Sequence, residues 1–366
     1  MNFKIDKKNL EKDFDRIAIA IDSTNLTVNL RGIFLQLKEE GLYLIGSNGE
    51  ISIKSFISAE NLTEIKKTGI SLINYSLLKN IIKKTNGIIE FDFSSDILTI
   101  KNNEDVYTLN LMEAEDYPQI QFDGFGDKMV VSADDLRKAI KNTIFAAATD
   151  NPEVILNSLN LAAYGGYLTI SATDRYRMAV EKVELNGKPD FNVSILAKSI
   201  KDFIPSDLHG EVEIFVTEYK VETKIENTLI QCKLIGYPYK DISAAFPSGE
   251  ELVYQIEIDK KEFSDLISKA SIISSDSYYK LILSVDNEEF SLSGERKEMG
   301  NVKVKTRNHK FKGPEESLTI ALNHKYLKDA ISVFEGNVHI YVNKARTKVL
   351  ILSPSCPSNK QLMGTT

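Results

Sequence analysis

Three segments of this chain repeat one pattern: NFKIDKKNLEKDFDRIAIAI from Asn2, MVVSADDLRKAIKNTIFAAA from Met129 and YQIEIDKKEFSDLISKASII from Tyr254. Ile5, Val131 and Ile258 correspond, which sets the copies 126 and 127 residues apart. Each copy reads as a short alternating strand, a polar cap and an amphipathic helix. The helical stripes are Leu10, Phe14, Ile17 and Ala18; Leu136, Ala139, Ile140, Ile144 and Ala147; and Phe263, Leu266, Ile267 and Ala270. A second strand–helix–strand pattern also recurs three times, with Leu78, Ile200 and Leu327 in register and a helix stop near Gly87, Gly210 and Gly336. Hairpins are expected at Glu40-Gly41 and Gly165-Gly166. Copies this long each own a core, so a solenoid is not expected. The expectation is an α+β architecture of three tandem domains with two helices each, spanning 1–126, 127–252 and 253–366, with linkers in FDGFGDK and PSGEELV.

The length of 366 residues agrees, since it exceeds what one core organises. No apolar run approaches the roughly 18 residues of a membrane span. The start, MNFKIDKKNLEKDF, is charged from its fourth residue and reads as no signal peptide. Cys232 and Cys356 lack CxxC company, which points to a reducing cytoplasm without a disulfide framework or zinc site. A net charge of −7 argues against a protein that coats nucleic acid, yet it leaves room for a local basic face.

One stretch departs from plain alternation: SATDRYRMAV, residues 171–180. Counted from the hairpin glycines, Asn48-Gly49-Glu50-Ile51-Ser52-Ile53 falls on Thr173 to Met178, and the third copy offers Gly294-Glu295-Arg296-Lys297. Neither carries Asp-Arg-Tyr-Arg. The stretch is therefore either a charged turn whose Asp caps backbone N–H groups or a feature with a task in the middle copy alone. Catalysis by Asp174 or Tyr176 would need a histidine or a second carboxylate nearby. His209, His309, His324 and His339 share no ligand spacing and read as surface residues, and no Walker, GxGxxG or GxSxG motif occurs. A non-enzymatic chain without cofactor or metal is expected.

The three-copy layout, ATDRYRMAV and the later GYPYKDISAAFP resemble the bacterial DNA polymerase III beta subunit family, the DNA sliding clamps, over the whole chain. The resemblance implies a ring-forming homodimer of clamp domains, helices on the inner side and antiparallel sheets outside, around double-stranded DNA. It also implies that the catalytic subunit of the replicative polymerase, the clamp loader and other clamp-binding repair proteins dock by a short peptide of the Gln-Leu-x-Leu-Phe kind. Carried over by motif, the peptide pocket would comprise Leu156, Thr173, Asp174, Arg175, Tyr176, Arg177, Met178, Pro238, Leu362 and Met363, with Ile242 or Ala245 in the next place. Arg175 stands where the family pattern has a small residue. The ending QLMGTT lacks the family's Pro and Arg, and as a chain end it is expected to contribute little to the core. Arg177 is expected to hydrogen-bond the peptide.

The same resemblance makes Lys12, Lys79, Lys83, Arg137, Lys141, Lys198, Lys201, Lys261 and Lys328 the DNA-facing cations, since all lie off the stripes or beside helix ends. Ring closure would join DVYTLNLM, with Tyr107 and Leu109 on one side, to GNVKVKT, supported by Ile272 and Ile273. Two rival readings are an enzyme on the same repeat, with Asp174, Tyr176 and Arg177 in a cleft, and a monomeric scaffold that has lost the ring.

Overall fold

The computed structural model describes residues 1–274 and 279–366. The described residues form helices α1 (Lys7–Ala18), α2 (Tyr75–Lys84), α3 (Ala133–Ile144), α4 (Ala197–Ile200), α5 (Lys260–Ala270) and α6 (His324–Ser332). Side chains that precede a helix cap it: Asp6 accepts from the N–H of Lys8, Asn74 from Leu77, Asp259 from Lys261 and Glu262, and Asn323 from Lys325 and Tyr326. The stripe of α5 is fully buried, as are Leu10, Phe14, Ile17, Leu136, Ala139 and Ile140. Ala18, Ile144 and Ala147, at the helix ends, are only half-buried.

The recurrent glycines do a different job from the one expected. α2 stops at Lys84 and α6 at Ser332, short of Gly87 and Gly336. Instead the carbonyl of each glycine accepts from the first residue of the other helix of its copy: Lys7 N to Gly87 O at 2.9 Å, Ala133 N to Gly210 O at 2.8 Å and Lys260 N to Gly336 O at 2.8 Å. Their φ angles of 63°, 84° and 64° lie where only glycine is unstrained. α4 is a single turn, and the segment after it buries Phe203 and Ile204 ahead of Pro205.

The chain forms two compact units, Met1–Ala133 with Asp202–Ile235, and Asp134–Lys201 with Gly236–Thr366. The middle copy is thus shared between them. The first unit holds a five-stranded sheet in the order Leu62–Lys67, Asn2–Asp6, Ile88–Ser94, Ile97–Asn102, Asp105–Asn110. Its eight-stranded sheet runs Asp127–Ser132, Glu211–Val216, Lys220–Ile225, Thr228–Lys233, Ile51–Ser58, Gly41–Ser47, Gly32–Lys38, Gly69–Asn74. The second unit holds a nine-stranded sheet: Phe191–Leu196, Ser158–Tyr164, Tyr167–Thr173, Arg177–Glu184, Asn359–Gly364, Lys348–Leu352, Asn337–Asn343, Leu252–Asp259, His309–Lys312. Its four-stranded sheet runs Gly300–Thr306, Phe290–Arg296, Lys280–Asp286, Ser317–Asn323. Neighbouring strands are antiparallel.

The two large sheets each join one copy to the next, and they do so alike. In the first unit Thr228 stands opposite Ser55, and in the second Asn359 stands opposite Glu181. Both pairs are buried and hydrogen-bonded to the helix above. The Ser55 and Thr228 hydroxyls lie 2.9 Å apart, Ser55 donates to Asp13 of α1, and Arg16 donates to Thr228 at 3.3 Å. Glu181 accepts from Asn142 of α3 at 2.8 Å and from Asn359 at 2.7 Å. Counted from Leu10 and Leu136, Arg16 and Asn142 hold the same position of the repeat. Such buried networks fix strand register, since a slip would strand every member.

One histidine reads differently from the expectation of surface residues: His324 is buried, with a ring nitrogen 3.2 Å from the Ser274 carbonyl. Cys232 and Cys356 are buried and unbridged. Among the described residues no helix is long and apolar enough to cross a membrane, and no His, Cys, Asp and Glu group could hold a metal.

Candidate functional site

The turn between Tyr167–Thr173 and Arg177–Glu184 is set by its own side chains. Asp174 Oδ1 accepts from the N–H groups of Tyr176 and Arg177, each at 3.0 Å, and Thr173 Oγ1 accepts from Arg175 N at 3.1 Å. The first copy builds the same turn. Asn48 Oδ1 accepts from Glu50 and Ile51, each at 3.0 Å, and Ser47 Oγ accepts from Gly49 at 3.1 Å. Asn48 therefore matches Asp174, one place off the alignment counted from the glycines. Gly49 (φ 92°) then matches Arg175 (φ 79°), so Arg175 holds a backbone conformation suited to glycine. Its exposed guanidinium pairs with Glu153, whose carboxyl that hydrogen bond holds below its usual range.

Arg177, expected to hydrogen-bond a peptide, is also engaged within the second unit. Its Nε donates to Asp174 Oδ2 at 3.0 Å and its Nη1 to Asp329 Oδ2 of α6 at 2.5 Å. The guanidinium lies over the Tyr326 ring at 4.4 Å from the centroid and faces Phe145 at 5.6 Å. Burial and then the Asp174 carboxylate push the Tyr326 phenol above its usual pKa. Arg177 thus clamps the turn to α6. Replacing it with Ala strips two carboxylates of their cation and should destabilise the second unit by roughly 2–4 kcal/mol, with Lys restoring only part because it lacks the planar fork. Thermal unfolding of both variants checks this, and an unchanged Arg177→Ala midpoint would refute the clamp.

Behind the turn, Thr173 pairs with Met178 and Met178 with Leu362, so the three stand side by side on one face of adjacent strands. Leu156, in the 3-10 turn Val154–Asn157, is buried, while Pro238 and Tyr176 are exposed. Ile242 is half-buried and lines a cavity of about 500 Å³ with Ala162, Val180, Tyr239, Phe246 and Lys360. Ala245 is not among its walls; its carbonyl accepts from Lys348 Nζ at 2.7 Å. Burial raises the Tyr239 phenol.

The chain end is no loose rim. Asn359–Gly364 lies inside the nine-stranded sheet, and Leu362 and Met363 are 5% and 2% exposed. Met363, facing Arg177 across the ladder, belongs to the apolar core of the second unit rather than to a pocket wall. Sequence reasoning missed Phe145, Tyr239, Tyr326 and Asp329. For the last two a signal existed: three residues apart in HKYLKDAIS, they share the helix face beside the stripe of Leu327 and Ile331.

Of the cations singled out, Lys12 pairs with Glu226 at 3.0 Å, Arg137 with Asp134 at 2.7 Å, and Lys79 lies over the Tyr75 ring. Lys83, Lys141, Lys198, Lys201, Lys261 and Lys328 are exposed. Lys201 lies just past α4 as its C-cap. Asp105–Asn110 and Gly300–Thr306 are both sheet edges. Tyr107, Leu109 and Ile273 are half-buried and Ile272 is 76% exposed.

Comparison with known proteins adds the following. Family profiles described as the N-terminal, central and C-terminal domains of the DNA polymerase III beta subunit match residues 1–121, 130–241 and 244–363. The beta sliding clamp of Mycoplasmopsis pulmonis is 30% identical over 372 residues, covering 100% of this chain and 99% of that protein. The beta sliding clamp of Bacillus subtilis is 27% identical over 376 residues, covering 99% and 98%. The crystal structure of the Bacillus subtilis DNA polymerase sliding clamp superposes with a TM-score of 0.93 at 26% identity, covering 100% of this chain and 99% of that one.

Proposed function

Since the chain belongs to the DNA polymerase III beta subunit family, we propose that it acts as a DNA sliding clamp, a non-catalytic processivity subunit of three clamp domains. Their boundaries are placed at 1–126, 127–252 and 253–366. A second copy of the chain completes a ring around duplex DNA, with the helices inside. The replicative polymerase's catalytic subunit, the clamp loader and repair proteins dock by peptide over Leu156, Thr173, Met178 and Leu362, with Asp174, Arg175 and Tyr176 at the turn and Pro238 and Ile242 on the neighbouring segment. Arg177 contributes hydrogen bonds to the peptide besides clamping the turn, and Met363 acts from behind, as core. The setting is the cytoplasm, with the chromosome.

One observation carries the ring. The two junctions inside the chain pair Thr228–Lys233 with Ile51–Ser58 and Asn359–Gly364 with Arg177–Glu184. Their counterparts in the repeat are Asp105–Asn110 and Gly300–Thr306, which each stand at the end of a sheet instead of inside one. One free edge of each kind is what head-to-tail closure by a second copy requires. The repeat also supplies the register. Asp105 faces Asn102 as Thr228 faces Ile225, and Thr306 faces Phe290 as Ile57 faces Leu42. Transferring the first junction sets Asp105 opposite Val304 of the second copy and Tyr107 opposite Val302, with Ile272 and Ile273 at the end of α5 nearby.

A net charge of −7 beside cations on or next to all six helices suits retention by encirclement rather than by phosphate affinity. The cations are those of the sequence reading: Lys12, Lys79, Lys83, Arg137, Lys141, Lys198, Lys201, Lys261 and Lys328. Protein loaded on a nicked circle should remain bound at moderate salt and leave once the circle is cut to a linear form. Equal retention on both forms, falling steeply with salt, would mean ordinary phosphate binding.

A further inference from the structure

The first unit contains a cavity of about 560 Å³ at the place in the repeat where the second unit carries the proposed peptide groove. We infer that it is a second copy of that groove, kept silent by Ser52 and Gln231. The inference rests on the peptide reading of the second unit.

The correspondence holds position by position. Leu30, in the 3-10 turn Val28–Arg31 before Gly32–Lys38, matches Leu156, in the turn before Ser158–Tyr164, and both are 7% exposed. Ser47 and Asn48 cap the turn as Thr173 and Asp174 do. Pro118 follows Tyr117 as Pro238 follows Tyr237. The floor pair is Ser52 opposite Gln231 in the first unit and Met178 opposite Leu362 in the second.

Glu50 stands where the second unit has Tyr176, but the floor pair is where an apolar anchor would be seated, and there the chemistry is reversed. The Ser52 hydroxyl is buried and shares a 2.8 Å hydrogen bond with Ser47. Gln231 Oε1 accepts from Lys220 Nζ at 3.1 Å, and the same ammonium holds the overlying segment through Gln121 O at 2.7 Å and Asp123. An apolar peptide anchor seated here finds no apolar floor to pack on and takes water from the Lys220 ammonium and the Gln231 amide without offering them a hydrogen bond, and that cost rejects it. In the second unit the same anchor meets a thioether and an isobutyl group. The shared backbone therefore offers two grooves and the side chains at two positions open one of them.

The test uses a fluorescein-labelled Gln-Leu-Ser-Leu-Phe peptide, titrated in the stoichiometric regime with native mass and thermal midpoint recorded. Wild type should bind one peptide per chain. Ser52→Met with Gln231→Leu should bind two. The reciprocal Met178→Ser with Leu362→Gln should bind none. One peptide per chain in both wild type and the first variant overturns the inference alone. No binding to wild type removes the peptide reading and this inference with it. Should the first variant fail to fold, undiminished binding by a folded reciprocal variant overturns the role given to the floor pair, and loss of binding there supports it.

Discussion

A chain ending at Lys360 should lose the fold of its second unit. The deleted residues are the core of the strand Asn359–Gly364, which runs between Arg177–Glu184 and Lys348–Leu352. Both neighbours lose a ladder. Gly364 N no longer donates to Tyr176 O at 3.0 Å, nor Thr366 N to Ala321 O at 3.0 Å. Gln361 no longer donates to Asn359 at 2.7 Å and Asn142 O at 3.2 Å, which opens the network around buried Glu181. Removing Leu362 and Met363 alone costs about 2–5 kcal/mol each by the usual large-to-small scale. Set against a typical domain stability of about 5–15 kcal/mol, the sum is enough to abolish cooperative unfolding of this unit. Calorimetry should show the transition of Asp134–Lys201 with Gly236–Thr366 missing and that segment cut rapidly by protease. A truncated chain with an unaltered melting profile would contradict the placement of this strand.

Tyr107→Asp should convert a dimer of about twice the 41.1 kDa chain mass into monomer. In the register transferred from the two internal junctions, residue 107 faces Val302 of the second copy, on the side of the sheet that the helices cover. A carboxylate there is desolvated on closure with no cation opposite, at a cost of several kcal/mol. In the free chain Tyr107 is half-exposed on an edge strand, so the substitution leaves each protomer folded. Ile272→Ala with Ile273→Ala should act in the same direction by removing apolar contact beside the seam. Sedimentation at low micromolar concentration reads both. A Tyr107→Asp protein that stays dimeric would show that this edge does not close the ring.

Much of this was legible in the sequence because it is local or periodic. The stripes of α1, α3 and α5 follow from spacing, whereas the strands expected to close the ring came with the family resemblance. The failures have physical causes. Counting from Gly41 and Gly166 missed that Asn48 and Asp174 wind the same turn, because glycine spacing does not register a side chain bonding its own backbone. The clamp made by Arg177 was hidden because its carboxylates, Asp174 and Asp329, lie 3 and 152 residues away, and only the nearer one shows in a local reading. The tail read as expendable because its ladder partners are remote: Leu362 pairs with Met178 and Leu350. The buried Asp13, Ser55, Glu181 and Asn359 drew no expectation at all, since a periodicity search scores apolar residues, whereas burial of a polar group depends on neighbours brought from other strands.

The pairing of Met178 with Leu362 has a consequence for synthesis. A ribosome completes the middle copy long before it reaches residue 362, and domains generally begin to fold while the chain is still being made. Met178 nevertheless has no partner opposite it until residue 362 emerges, 184 residues later. Until then Arg177–Glu184 stands as an open sheet edge. If peptides dock on this pair as proposed, the docking face is therefore among the last parts of the second unit to form, however well the middle copy has folded.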